Sequence, residues 1–168
     1  MRLLHAVFEA IQGLPEPLVV AILSAAPVSE LRGGIIVGYL AYDMPLVYLL
    51  PLAIVCNVVS VVPVLLWFNP VADWLVKRGR LTGLVERLRG RARAKKPMVD
   101  KYGVYAVAMF VAIPLPVTGA WTGALVASVF EMDFWRALGC VAVGVCIAAA
   151  VVTILCAAGV YTADLITG

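Results

Sequence analysis

Residues 29–34 read Ser29-Glu30-Leu31-Arg32-Gly33-Gly34, and they split an otherwise apolar stretch: LVVAILSAAPV at 18–28 and IIVGYLA at 35–41. A carboxylate, a guanidinium and two glycines thus break a greasy segment near its middle. A second break follows downstream. Residues 104–113 are apolar, Pro114, Pro116, Thr118 and Gly119 interrupt, and the apolar run resumes over 120–130. Ionisable groups at membrane depth are costly and mark a pathway or a site. Interrupted segments in corresponding halves of a chain point to a transporter's central binding site.

Working outward, the composition is that of an integral membrane protein. The 168 residues are 64% hydrophobic and 14% charged, with a mean hydropathy of +1.03. A soluble domain sits near half apolar and about a quarter charged. The start of the chain, MRLLHAVFEAIQGLPEP, lacks an apolar core ending at a small-residue cleavage site, so no secretory signal peptide is expected. Leu3, Leu4, Val7, Phe8 and Ile11 share one helical face within 1–16, which predicts an amphipathic helix on the membrane surface.

Residues 46–68 form a 23-residue apolar run, about 34 Å as helix and long enough to span. Trp67 and Phe68 suit an interfacial anchor, and Asn69-Pro70 is expected to stop the helix. A second span is expected at 134–162. There Cys140, Gly144 and Ala148 repeat a small residue every fourth position, permitting close helix contact within the chain or with a second copy, so a homodimer is a candidate assembly.

Ten of the 13 Lys and Arg residues lie between Lys77 and Lys101. The positive-inside rule makes the 69–103 connection cytoplasmic in a multi-pass protein of the cell membrane. Within it Leu81, Leu84, Val85 and Leu88 form one stripe amid arginines, which suits contact with anionic headgroups of membrane lipids. A juxtamembrane basic loop is first a topology signal, and no nucleic-acid partner is expected. Pro97 and Gly103 are expected to close this region.

The arms of the two broken segments, about 10–14 residues each, are too short to cross alone. Two models follow: four spans, two of them kinked, or two spans plus two re-entrant hairpins over 17–42 and 104–130. Arm length and the Gly/Pro-rich breaks favour hairpins, because non-helical backbone survives at depth only where protein or a wet cavity satisfies it. Pro27 and Pro114 are 87 positions apart, and Asp43 and Asp133 are 90 apart. The expected fold is therefore all-α: an inverted repeat of two re-entrant helical hairpins and two long transmembrane helices, one membrane domain over 1–168, with an amphipathic N-terminal helix.

Glu30 and Arg32 are the first site candidates. They read either as a fixed ion pair at a hairpin tip or as a substrate and proton site. Desolvation raises the pKa of a carboxyl unless a cation compensates, and a group so balanced can carry a proton. Ser29 and Thr118 are expected to N-cap the second arm of each hairpin, which would present two positive helix ends to an anion. Arg32 adds a planar donor fork. Pro114 and Pro116 forbid regular helix at the second tip. Gly119 permits close backbone approach there, and Trp121 and Thr122 complete the candidate substrate set. Asn57 and Ser60 on the first span are expected to bond hairpin backbone. The four cysteines, Cys56, Cys140, Cys146 and Cys156, sit in apolar runs and read as small buried hydrophobes. With the single His5 they supply no metal site. No hydrolytic triad or nucleotide-binding loop is present. The expectation is a non-enzyme without cofactors, driven by a gradient or passive.

Two motifs carry a resemblance. Pro27-Val-Ser29-Glu30-Leu-Arg32-Gly33-Gly34-Ile35 resembles the P-x-x-E-x-R-G-x-I signature of the small multidrug export protein family. Ala112-Ile-Pro114-Leu-Pro116-Val-Thr118-Gly119-Ala-Trp121-Thr122-Gly123 resembles that family's A-I-P-L-P-x-T-G-A-x-T-G. The family commonly has a proline where this chain has Val37. The resemblance implies kinship with the DedA and VTT membrane proteins, whose paired re-entrant hairpins form an inverted repeat and which are implicated in moving lipid phosphates and in proton-coupled drug resistance. By that likeness Glu30 and Arg32 match the acidic and basic hairpin residues, and Pro114, Pro116, Thr118 and Gly119 the second tip. The functional expectation is a DedA-like transporter or flippase for an amphipathic substrate, in first place a lipid phosphate such as polyprenyl phosphate, with Glu30 coupling to protons. The alternatives are a proton-driven exporter of small cationic drugs and a non-transporting membrane scaffold.

Overall fold

The structure, a computed structural model, describes residues 14–78, 83, 96–113 and 119–167. Among these, every regular element is helical: α1 (Glu16–Ala25), α2 (Glu30–Ile36) continued by a π-helical turn (Val37–Ala41), α3 (Leu46–Lys77), α4 (Lys96–Ala112), α5 (Ala120–Val129) and α6 (Phe134–Thr167). The expected surface helix over 1–16 and the leucine stripe of the basic connection lie outside the described residues.

Local chemistry explains the first break. Pro17 sits in the first turn of α1, where an amide donor has no partner to lose. Pro27 then pushes the residue before it out of helical backbone, and Ala26 is extended at φ −69°, ψ 137°. The chain turns over residues 26–29 and α2 packs back on α1. α5 likewise packs on α4, so the helices on either side of the second interruption are paired as well.

α3 and α6 contain the long apolar stretches. Leu46–Trp74 has 29 residues at mean hydropathy 2.5, and Phe134–Gly159 has 26 at 2.7. Both exceed the ~20 residues a bilayer requires. Only 22% and 39% of their most apolar windows are buried within the chain. A core helix of a soluble protein would be mostly covered. Here Val47, Tyr48, Val55, Val59, Trp67, Ile154 and Leu155 are exposed, which is the surface of a membrane protein.

Several expected boundaries move. α3 does not stop at Asn69-Pro70 but runs to Lys77, with Pro51, Pro63 and Pro70 all inside it. Transmembrane helices tolerate proline where neighbouring groups re-satisfy the freed carbonyl. α4 starts at Lys96, takes Pro97 in its first turn and passes through Gly103, so Lys96 and Lys101 belong to the same helix as the apolar run at 104–112. α6 continues to Thr167, beyond the expected 162. Of the cysteines only Cys140 is buried, Cys146 is exposed, and Cys56 and Cys156 are half-buried. A thiol on a lipid-facing surface needs no burial in protein.

The chain contacts divide into two compact units. One comprises the described residues up to Asn57 with those from Ala149 onward. In it Val19 and Val20 of α1, Leu31 and Ile35 of α2, and Leu49 and Ala53 of α3 are buried. Gly38 lets the π-helical turn lie directly on Leu49 and Val20. The other unit is Val58–Ala148. Its buried residues are Val107 and Val111 of α4, Ala120, Ala124 and Ala127 of α5, and Ala137, Val141 and Val145 of α6. Gly144 approaches Val111 and the Ala108 carbonyl, and Cys140 and Ala148 are buried beside it. The small-residue repeat of α6 therefore packs inside the chain.

Each hairpin leaves through a left-handed residue. Asp43 has φ 48° and Glu131 has φ 54°. At the end of α5, Glu131 N–H donates to Ser128 O (3.0 Å) and Met132 N–H to Ala127 O (3.1 Å), the Schellman pattern with an acidic residue where glycine is usual. After the π-helical turn, Met44 N–H reaches back one residue further, to Gly38 O at 2.9 Å. Asp43-Met44-Pro45-Leu46 and Glu131-Met132-Asp133-Phe134 occupy equivalent places, at a spacing of 88. The sequence pairing of Asp43 with Asp133 is corrected by two positions. Asp133 instead N-caps α6, its Oδ2 accepting from Trp135 N–H (3.1 Å) and Arg136 N–H (3.4 Å).

Candidate functional site

The first hairpin tip is built by satisfying the end of α1. A helix leaves its last four carbonyls without intrahelical donors, and in lipid each orphan is expensive. Here Ala26 N–H donates to Ile22 O (3.0 Å) and Glu30 N–H to Ala26 O (2.9 Å). Ser29 Oγ donates to Leu23 O at 2.7 Å. Asn57 Nδ2, from α3, donates to Ser24 O at 2.8 Å, as expected of a polar group on that span.

The expected role of Ser29 changes accordingly. It stands at the N-cap position of α2 but makes no side-chain cap. Its hydroxyl is the nearest donor for a carbonyl that lacks one. The amides of Glu30 and Gly33 are also taken, by Ala26 O and Ser29 O (2.9 and 3.0 Å). Glu30 itself places a carboxylate in the first turn, where the helix dipole is already answered. The start of this seven-residue helix therefore has two of its amides and its dipole answered from within the chain.

Glu30 has φ 51°, left-handed backbone that costs an L-residue about 1–2 kcal/mol and that glycine adopts freely. Glu30 and Arg32 are half-buried on either side of buried Leu31. Behind them Gly34 lets α2 close on Ser24 and Val20 of α1. Val28, at the apex, is 96% exposed.

At the second tip Pro114, Pro116 and Thr118 lie outside the described residues. The N-cap position of α5 falls to Gly119, not Thr118, and has no side-chain cap. Gly119 is buried and its carbonyl accepts from Gly123 N–H at 2.8 Å. Trp121 and Thr122 are half-buried in the first turn of α5. Gly123 lets α5 lie on Val111 and Val107 of α4. Ser29, Glu30 and Arg32 thus share one tip in the first unit, and Gly119, Trp121 and Thr122 share one helix start in the second.

Sequence reading missed the partner of Asn57. Asn69 Nδ2 donates to Ser128 O at 3.2 Å. Ser24 and Ser128 are the penultimate residues of α1 and α5, two ten-residue helices. The signal was present: these are the chain's two asparagines, and both lie on α3. One long helix thus gives each hairpin an amide donor. Among the described residues no three His, Cys, Asp or Glu side chains gather as a metal site would require.

Long apolar helices with exposed greasy faces, together with paired short helices closed by side-chain donors, define a helical integral membrane protein. The family model described as "Putative small multi-drug export protein" matches residues 30–151. The chain belongs to this family, and the match opens at Glu30, just after the first turn, and runs through Arg32 and the second interruption. No curated protein and no solved structure matches the chain.

Proposed function

We propose that this chain is a membrane transporter that carries an amphipathic substrate across the cell membrane, in first place a lipid phosphate such as polyprenyl phosphate. Arg32 holds the phosphate and Glu30 takes and releases the coupling proton. The observation that supports this most is Glu30 in left-handed backbone between two short apolar helices. A chain with 14 glycines keeps a carboxylate where glycine would be unstrained, and strain of this kind is retained at functional positions.

Length supports the same reading. α1 has ten residues, and α2 with its π-helical turn spans residues 30–41. Each arm is about 15–18 Å long, half of a hydrocarbon core of about 30 Å. On this proposal the hairpin is re-entrant and Glu30 and Arg32 stand near mid-depth, with the substrate tail left in lipid. The second hairpin is its inverted counterpart, and Pro114, Pro116, Thr118, Gly119, Trp121 and Thr122 complete the path. The basic connection is cytoplasmic. The likeness to DedA and VTT proteins supports a lipid phosphate.

The family's description favours a second reading, proton-driven export of cationic drugs. Glu30 suits a cation, whereas Arg32 opposes one. The test is purified protein in liposomes carrying a fluorescent lipid phosphate. Wild type should move it, and Arg32→Ala should lose about ten- to a hundredfold, the scale of a charge-assisted hydrogen bond. Glu30→Gly relieves the backbone while removing the whole side chain, and Glu30→Gln keeps the side chain's shape and removes only its charge, so loss of pH-driven transport in both reports the carboxylate. Full activity in Arg32→Ala would refute the phosphate reading. Drug resistance that survives Arg32→Ala but not Glu30→Gln would establish the cationic one.

A further inference from the structure

The C-terminal end of α3 carries a ridge that neither hairpin uses. Trp67, Val71, Trp74 and Arg78 recur at i, i+4, i+7 and i+11, one face of a helix. Trp67 is 64%, Val71 52% and Trp74 50% exposed, and Lys77 and Arg78 are exposed. The apolar span ends at Trp74. The guanidinium carbon of Arg78 lies 4.0 Å from the Trp74 ring centroid.

We infer that this ridge binds one anionic phospholipid, with the phosphate on Arg78 and Lys77 and an acyl chain along Trp74, Val71 and Trp67. The dimensions agree. From Trp67 to Arg78 the helix rises about 16 Å, the depth of one leaflet's hydrocarbon. Stacking occupies the face of the guanidinium and leaves its edge donors free to grip a phosphate in two places. The indole holds that fork at the level where apolar side chains end, and Trp is at home at this interface. Asp73, the nearest acidic residue in sequence, stands about 140° from Arg78 around the helix axis but one turn from Lys77 on the same face, so Arg78 is the principal phosphate ligand and Lys77 the lesser one. Lys77 begins the run that holds ten of the chain's 13 basic residues, so the local field favours an anion. The ridge rests on α3 being in the membrane and not on the transport proposal.

The test uses the full chain in nanodiscs, with Trp121→Phe and Trp135→Phe so that Trp67 and Trp74 are the reporters. Acyl-brominated phosphatidylglycerol and acyl-brominated phosphatidylcholine are compared as quenchers at equal mole fraction. The glycerol lipid should be preferred about fivefold, the scale of one basic residue at a membrane surface. Arg78→Gln, at an exposed helix end, should abolish the preference while quenching by the choline lipid persists. Soluble glycerol phosphate should leave the preference unchanged. Equal quenching in the parent, an undiminished preference in Arg78→Gln, or displacement by soluble glycerol phosphate would each overturn the inference.

Discussion

Gly144→Ala tests the packing of α6 on α4 directly. A Cβ at this position would lie 2.6 Å from Val111 Cβ, 2.7 Å from Ala108 O and 2.9 Å from Val111 Cγ1. Comfortable carbon contacts are about 3.5–4.0 Å. The two closest atoms are a Cβ and a backbone oxygen, and neither can rotate away. The helices must part by about 1 Å, and overpacking of this sort costs about 1–3 kcal/mol. Alanine returns up to about 1 kcal/mol through its better helix propensity. Gly139, five residues earlier on the same helix, has nothing within 4 Å of its would-be Cβ. Gly139→Ala therefore keeps the propensity gain without the clash. Two identical chemical changes on one helix should differ by about 1–3 kcal/mol, or roughly 3–10 °C in Tm for a chain of this size. Thermal unfolding of the detergent-solubilised protein, followed by tryptophan fluorescence, measures the gap. Equal melting temperatures for the two variants would refute the proposed contact. A loss of oligomer without a loss of stability in Gly144→Ala would assign the glycine to a second copy instead.

Two further outcomes follow from the hairpins. Asn57→Leu removes the donor to Ser24 O, leaving a carbonyl that was paired at 2.8 Å, and should cost about 1–3 kcal/mol in the same melting assay; no change would mean that the carbonyl finds another donor. Asp43→Gly relieves an exposed residue at φ 48° and should stabilise by up to about 1 kcal/mol; a lower Tm would show that the carboxylate is held by something worth more than the strain.

Much of this molecule is written in one dimension. Hydropathy is additive along the chain, so the membrane class and the starts of both long helices, Leu46 and Phe134, follow from residue order alone. Pro27 dictates the backbone of Ala26 through a local clash, so the first break was readable too. The lengths of the helices were not. Asn69-Pro70 looks like a stop in isolation, yet α3 continues because Asn69 is engaged by Ser128 O and a membrane helix absorbs a proline. The site divides in the same way. Glu30 and Arg32 stood out because charge is conspicuous among apolar residues. A hydroxyl such as that of Ser29 has several acceptors in reach, and only packing shows that the carbonyl of Leu23, not the start of α2, is the one left wanting. The same holds for Gly144, whose neighbour on α4 is more than thirty positions away. A small residue states only that something comes close; three-dimensional packing decides what.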